Sequence, residues 1–298
     1  MLAHWFEKKR GLASGIAVSG MGLGTFILVP LSQHFILLWG WRITFVATGI
    51  LLAIILLPLN ALLLRHKPHE LGLYPDGLKG MDMMKPVGMG GSHTMKAEID
   101  WTISKAFKTN AFWFLMAFTF LSFAGIFLVF VHNVKFMVDQ GISKMTAAYI
   151  FAMVGIISSL FRIFWGWLSD HIGRELTFTA GALCACLGVV SLLMIGSTGS
   201  TSFAYAFFIF FGMGWGVTAP MFMAVAADLF KGKCFGLIYG VVEGGVGIAG
   251  ALGAWVGGFI FDRTGSYQWA FALSIIFFVL SIIFVWLAAP RKAHLINA

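Results

Sequence analysis

Eight long apolar runs alternate with polar links along the chain, at residues 11–35, 42–65, 110–132, 146–168, 175–196, 202–229, 235–260 and 267–289. About 20 apolar residues rising about 1.5 Å each cross a hydrocarbon core of about 30 Å, so each run predicts a membrane-spanning helix. Glycine and proline recur within the runs, which membrane helices tolerate because their freed backbone groups find partners inside the protein. Pro220 is expected to break its helix. No segment shows the period-2 alternation of a membrane β-barrel.

The links are short except one. From Arg65 to Thr109 the chain turns polar and rich in glycine and proline. This predicts three parts: two helices in 1–65, a linker at 66–109, and a six-helix unit at 110–298. An interfacial helix is expected around Asp100–Lys108, anchored by Trp101. The N-terminus does not read as a signal peptide, because its basic cluster leads into a full-length run without a small-residue cleavage site.

Composition agrees with the pattern. Hydrophobic residues make up 59% of the 298 and charged residues 11%, against about 25% charged in soluble domains. The net charge of +8 would suggest nucleic-acid binding in a soluble protein. Here the basic residues collect at the ends of apolar runs and report topology instead. With the N-terminus placed in the cytoplasm, fifteen of the twenty Lys and Arg fall on that side. Arg42, Lys135, Lys144 and Arg263 fall opposite, and Arg162 lies within a span. The expectation is a multi-pass protein of the cell inner (plasma) membrane with both termini cytoplasmic and the lipid bilayer as its solvent.

Cys184, Cys186 and Cys234 lie in or beside apolar runs and make no disulfide framework. Neither the Cys184–Cys186 pair nor the scattered histidines predict a metal site. Gly245 to Gly250 matches G-x-G-x-x-G, but inside an apolar span it reads as helix packing rather than a dinucleotide loop. No nucleophile–base pair stands out. The chain is expected to be no enzyme, to need no cofactor and to bind no nucleic acid.

Two strings carry more. Trp5 to Gly20 (WFEKKRGLASGIAVSG) is a basic anchor followed by a helix with small residues four apart: Gly11 and Gly15, Ala13 and Ala17, with Gly20 and Gly24 following. That spacing lets helix backbones approach closely. Gly166 to Arg174 (GWLSDHIGR) is a tight turn in which Asp170 can cap a helix start and Arg174 can pair at a helix end. The first string resembles the entry to the fifth helix of the monocarboxylate transporters and the related oxalate/formate antiporters of the major facilitator superfamily. The second is similar to the superfamily's G-x-L-x-D-x-x-G-R loop, here in its copy after helix 8. Weaker likenesses run through His69–Gly77, similar to a loop after helix 6, and Phe261–Tyr267, similar to the turn between helices 11 and 12. The resemblance implies an all-α major facilitator fold with eight spans matching helices 5 to 12 of twelve. Helices 1 to 4 are absent from this sequence, through a truncated gene or a start placed too late. It also implies a conformational gate formed by Gly166, Asp170, Gly173 and Arg174.

Two ionisable residues lie deep in spans. Arg162 is eight residues before Asp170, and Glu243 eight after Phe235, each about 12 Å from its helix end. A charge at such depth costs about 2.5–3.5 kcal/mol on insertion scales and is kept for a pathway or a partner. Three readings stand for Arg162: a fork for a substrate carboxylate, a partner for Glu243, or a side chain snorkelling to the headgroups. The resemblance favours the first, since relatives have an anion-binding arginine in helix 8. Ser158 stands where monocarboxylate transporters have an aspartate, so their proton-coupling pair is not reproduced. Glu243 reads either as a titrating group for proton coupling or as a neutraliser of Arg162, and it argues against a dianion. His132, Asn133 and Tyr239 complete the candidate substrate site, with Tyr149, Trp165 and Trp215 as further cavity candidates. The function expected is alternating-access transport of a small, monocarboxylate-like organic anion, with proton coupling or antiport open. The competing expectation is a truncated membrane remnant that transports nothing.

Overall fold

The computed structural model describes Phe6 and residues 10–63, 101–198, 202–232, 234–288 and 290–292. The described part is helical: α1 (Arg10–Leu63), α2 (Ile103–Phe107), α3 (Asn110–Asp139), α4 (Lys144–Ile172), α5 (Arg174–Thr198), α6 (Ser202–Leu229), α7 (Phe235–Thr264) and α8 (Gln268–Ala288), with a 3-10 turn at Pro290–Lys292. Seven stretches are long and apolar enough to cross a membrane: Leu38–Leu62 of α1 and all of α3 to α8. The first predicted run forms the start of α1, where the apolar stretch Gly15–Leu28 is shorter. Glycine and serine interrupt it there.

α1 is two helices meeting at Gly40, whose φ of 75° and ψ of 162° are not helical. Only glycine takes that conformation without strain. Beyond the break, Leu38–Leu62 buries none of its most apolar window. Ile43, Phe45, Val46, Ile54 and Leu57 are all exposed. A soluble protein does not display such a surface, whereas lipid is its natural surroundings.

The other helix ends follow their local chemistry. Thr109 caps α3 by accepting from the Phe112 N–H at 3.3 Å. Ser143 caps α4 by accepting from Thr146 N–H at 3.1 Å. Each satisfies a backbone donor left free by the first helical turn. Of the expected linker, residues 64–100 lie outside the described residues, as does the His69–Gly77 string. The expected interfacial helix is the single turn α2, capped by Thr102. Trp101 differs from the expectation. It is buried edge-on against Phe230 at 5.1 Å, because a packed aromatic partner outweighs a place at the headgroups.

The bundle packs mainly through α1 with α4, α4 with α6, α5 with α6, α3 with α7 and α8, and α5 with α8. Two apolar clusters fill it. One gathers Phe112, Phe118, Trp165, Phe178, Phe222 and Val285, the other Val129, Phe136, Ile150, Phe207, Trp215 and Phe271. Small residues set the closest approaches. A Cβ on Gly214 would meet Ala185 at 2.5 Å, and one on Gly253 would run into the backbone of Ala124.

Pro220 does not break its helix. α6 continues through it from Ser202 to Leu229. Proline removes one backbone donor, and the flanking turns, buried on both sides, hold the helical path.

Candidate functional site

Arg162 lies in the C-terminal half of α4, ten residues before its end at Ile172, and is 1% exposed, so it does not snorkel. Its guanidinium lies over the Trp215 ring of α6, 5.0 Å from the centroid. Nη1 reaches the Met21 sulfur of α1 at 3.5 Å, and Nε has no partner. An aromatic face attracts a cation, but it does not match a carboxylate as a recipient for the guanidinium's five donors. Among the described residues Arg162 has no carboxylate partner.

The α4 face that carries Arg162 is where α1 docks. The N–H of Leu12 donates to Asp170 Oδ2 at 3.1 Å. Gly15 lies against the backbone of Arg162 and Ile163. Ser159 Oγ donates to the Ser19 carbonyl at 2.7 Å, and Gly22 fits against the Gly155 carbonyl and the hydroxyls of Ser158 and Ser159. Rising positions on α1 meet falling positions on α4, so the two run antiparallel. The packing face is Gly15, Ser19 and Gly22, spaced four and three. Gly20 and Gly24, from the expected small-residue pairs, meet nothing within 4 Å of an added Cβ.

The GWLSDHIGR turn is a network. Gly173, with φ 92°, ends α4 and lets α5 begin at the next residue. Gly166 is buried, and its carbonyl accepts from Ser169 Oγ at 2.8 Å. Arg174 Nη1 donates to Asp170 Oδ1 at 2.7 Å and to Ser169 Oγ at 2.6 Å, while its Nε donates to Asp228 Oδ2 at 3.0 Å. Alongside, the buried Glu175 accepts from the Arg291 N–H at 3.1 Å. A cavity of about 370 Å³ is lined by Asp170, His171, Arg174, Glu175, Asp228 and Arg291, among others. Asp228 and Glu175 were not singled out in the sequence. The available signal was that each is an acid at the end of an otherwise apolar run.

The remaining candidates are spread over other helices. Glu243 is exposed on α7, whose main partner is α3, and it does not meet Arg162. It interacts with Tyr239 one turn before it, itself half-buried. His132 is wedged between α3 and α7. Its Nε2 bonds the Ala254 carbonyl at 2.9 Å and its ring stacks on Tyr267 at 4.8 Å. Asn133 is fully buried and donates to the carbonyls of Val129 and Phe130, leaving Oδ1 without a partner. Trp165 donates to the Met213 carbonyl at 2.8 Å, and Tyr149 is exposed. No group of three or more metal-ligating side chains occurs among the described residues.

Comparison with known proteins completes the picture. The chain matches the Major Facilitator Superfamily over residues 1–242 and 216–297. It is 29% identical to monocarboxylate transporter 11 of Mus musculus, covering 97% of this chain and 62% of that protein. It is 27% identical to the oxalate:formate antiporter of Oxalobacter formigenes, covering 98% and 65%. It is 24% identical to the uncharacterized transporter YcxA of Bacillus subtilis, covering 94% and 64%. The chain thus spans less than two thirds of the length of these relatives. With helices long enough to span a bilayer and a family match along nearly its whole length, this multi-pass membrane chain belongs to the Major Facilitator Superfamily.

Proposed function

We propose that this chain forms the substrate-carrying part of a secondary transporter for small, monocarboxylate-like organic anions. Its two halves, joined by the 66–109 linker, rock about a midplane site in alternating access. It resides in the cell inner (plasma) membrane with both termini cytoplasmic, and it is not an enzyme. One observation carries the reading: the Arg162 guanidinium is buried and, among the described residues, without a carboxylate partner. An unpaired buried cation is costly. A carboxylate arriving in transit relieves that cost with bidentate hydrogen bonds.

Glu243, Tyr239, His132 and Asn133 remain proposed members of the pathway, with Glu243 as the candidate proton-coupling group. The turn of Gly166, Asp170, Gly173 and Arg174 acts as the conformational gate, because Asp170 joins α4 to the start of α1 through the Leu12 N–H. Two relatives whose names include monocarboxylate and oxalate:formate transport support the substrate class.

The experiment is uptake of radiolabelled monocarboxylates into proteoliposomes, wild type against Arg162→Ala. Saturable uptake lost in the variant is the expected result, and undiminished uptake refutes the Arg162 role. The second reading is a membrane protein of this family that transports nothing. It is favoured by the open face of α7, where a Cβ added at Gly240, Gly244 or Gly247 would meet nothing within 4 Å among the described residues and Glu243 is exposed. Absence of uptake for every anion by the wild type supports that reading.

A further inference from the structure

We infer that the site at Arg162 selects monocarboxylates with an apolar, ring-sized tail over formate, acetate or dicarboxylates; this rests on the anion-binding reading of Arg162. The surroundings of the guanidinium are aromatic. Trp215 beneath it meets Phe130 of α3 edge-on at 4.9 Å, and Phe130 meets Phe151 of α4 at 4.6 Å. Phe127 and Phe123 continue the row along α3, at 5.9 and then 4.9 Å between centroids. These four phenylalanines are only partly buried, so part of their ring surface stays accessible along a row that begins at the Trp215 ring under the enclosed guanidinium.

The hydroxyls flanking Arg162 and Trp215 in sequence are already committed. Ser158 donates to the Gly155 carbonyl at 2.9 Å, Ser159 to the Ser19 carbonyl at 2.7 Å, and Thr218 to the Trp215 carbonyl at 2.8 Å. A second carboxylate would displace one of these bonds or go unpaired, which a buried polar group does not tolerate, and the open Oδ1 of Asn133 beside Phe130 is an acceptor that gives it no donor. Among the described residues Arg162 is the one cation set over a ring of this row. The other ionisable side chain well inside a span, Glu243, has the wrong sign for a second anionic group. One carboxylate end is therefore matched by Arg162, and the other end of the ligand by rings that reward apolar area and edge-to-face contact.

Equilibrium binding of radiolabelled phenylacetate to the full chain in lipid nanodiscs, with acetate and oxalate as competitors, tests this. Phenylacetate is expected to bind at least about tenfold more tightly than acetate, a gap of one decade in Kd, and oxalate no more tightly than acetate. Phe130→Leu, which keeps an apolar side chain and removes the ring, should erase most of that gap while acetate binding persists. Equal affinity for phenylacetate and acetate, oxalate as the tightest ligand, or a gap untouched by Phe130→Leu overturns the inference. If no carboxylate binds, or Arg162→Met binds as well as wild type, the anion-binding reading falls and this inference with it.

Discussion

At the scale of the residue, Arg162 shows how a side chain can be costly to the fold and useful to the protein. Its guanidinium rests on Trp215 and Met21 with Nε unpartnered. Taking a charge out of water is costly unless a partner offsets it, so an apolar side chain of similar length removes that cost. Arg162→Met should therefore melt at the same temperature as wild type or higher, while losing substrate uptake. A marked drop in melting temperature would show that the guanidinium is structural glue. Asp170 behaves oppositely. It holds Arg174 and also accepts the Leu12 N–H, so Asp170→Asn leaves Arg174 with Asp228 alone as its ion-pair partner. The paired side chains of Arg174 and Asp170 are 14% and 13% exposed, so solvent screens part of the loss. A destabilisation of about 1–3 kcal/mol is expected, read by thermal unfolding in detergent. Arg162 and Asp170 were both legible in the sequence, one from its depth in a span and one from its motif. Their partners Trp215, Met21 and Asp228 were not recognised as such, because a partner on another helix leaves no trace in local spacing.

At the scale of the element, the pairing of α1 with α4 turns on backbone approach. A Cβ on Gly15 would overlap the Arg162 carbonyl, and one on Gly22 the Gly155 carbonyl. Backbone cannot swing aside as a side-chain tip does. Gly15→Leu should cost about 1–3 kcal/mol as an overpacked contact, with loss of the α1–α4 contact detectable by cysteine crosslinking. Gly20→Ala is the contrasting substitution. A Cβ on Gly20 would meet nothing within 4 Å among the described residues, and alanine is the better helix former by about 1 kcal/mol, so melting should hold or rise. Equal damage from both would mean that α1 packs on another face. Small-residue spacing along the first span foretold close packing. It did not reveal which face packs, since Gly11, Gly15, Gly20 and Gly24 offer several. Pro220 is the converse case. Its effect on a helix depends on the neighbours, and those of α6 keep the helix continuous.

At the scale of the whole molecule, the distribution of Lys and Arg predicts orientation. The turn at Gly141 should lie outside and the turn at Gly232 in the cytoplasm. Alkaline phosphatase fused after Gly141 should be active and fused after Gly232 inactive, and the reverse pattern would invert the topology. The placement of Glu243 also belongs to this scale. By depth alone it matches Arg162, and the sequence left a pairing between them open. In the bundle α7 packs on α3 while Arg162 on α4 faces α1 and α6, so the two charges do not meet.

Membrane residence, seven of the eight expected spans and the family were legible in the sequence alone. Apolar length and end charge act through local sums: each of the seven spanning runs meets the bilayer's thickness without reference to any other run. Only the tertiary structure decided that Gly15, Ser19 and Gly22 form the α1 seam, that Arg162 lies over Trp215, and that Asp228 completes the turn at Arg174. Those contacts join residues far apart in sequence. They depend on helix rotation and shape complementarity, which a one-dimensional pattern of apolar and polar positions does not encode.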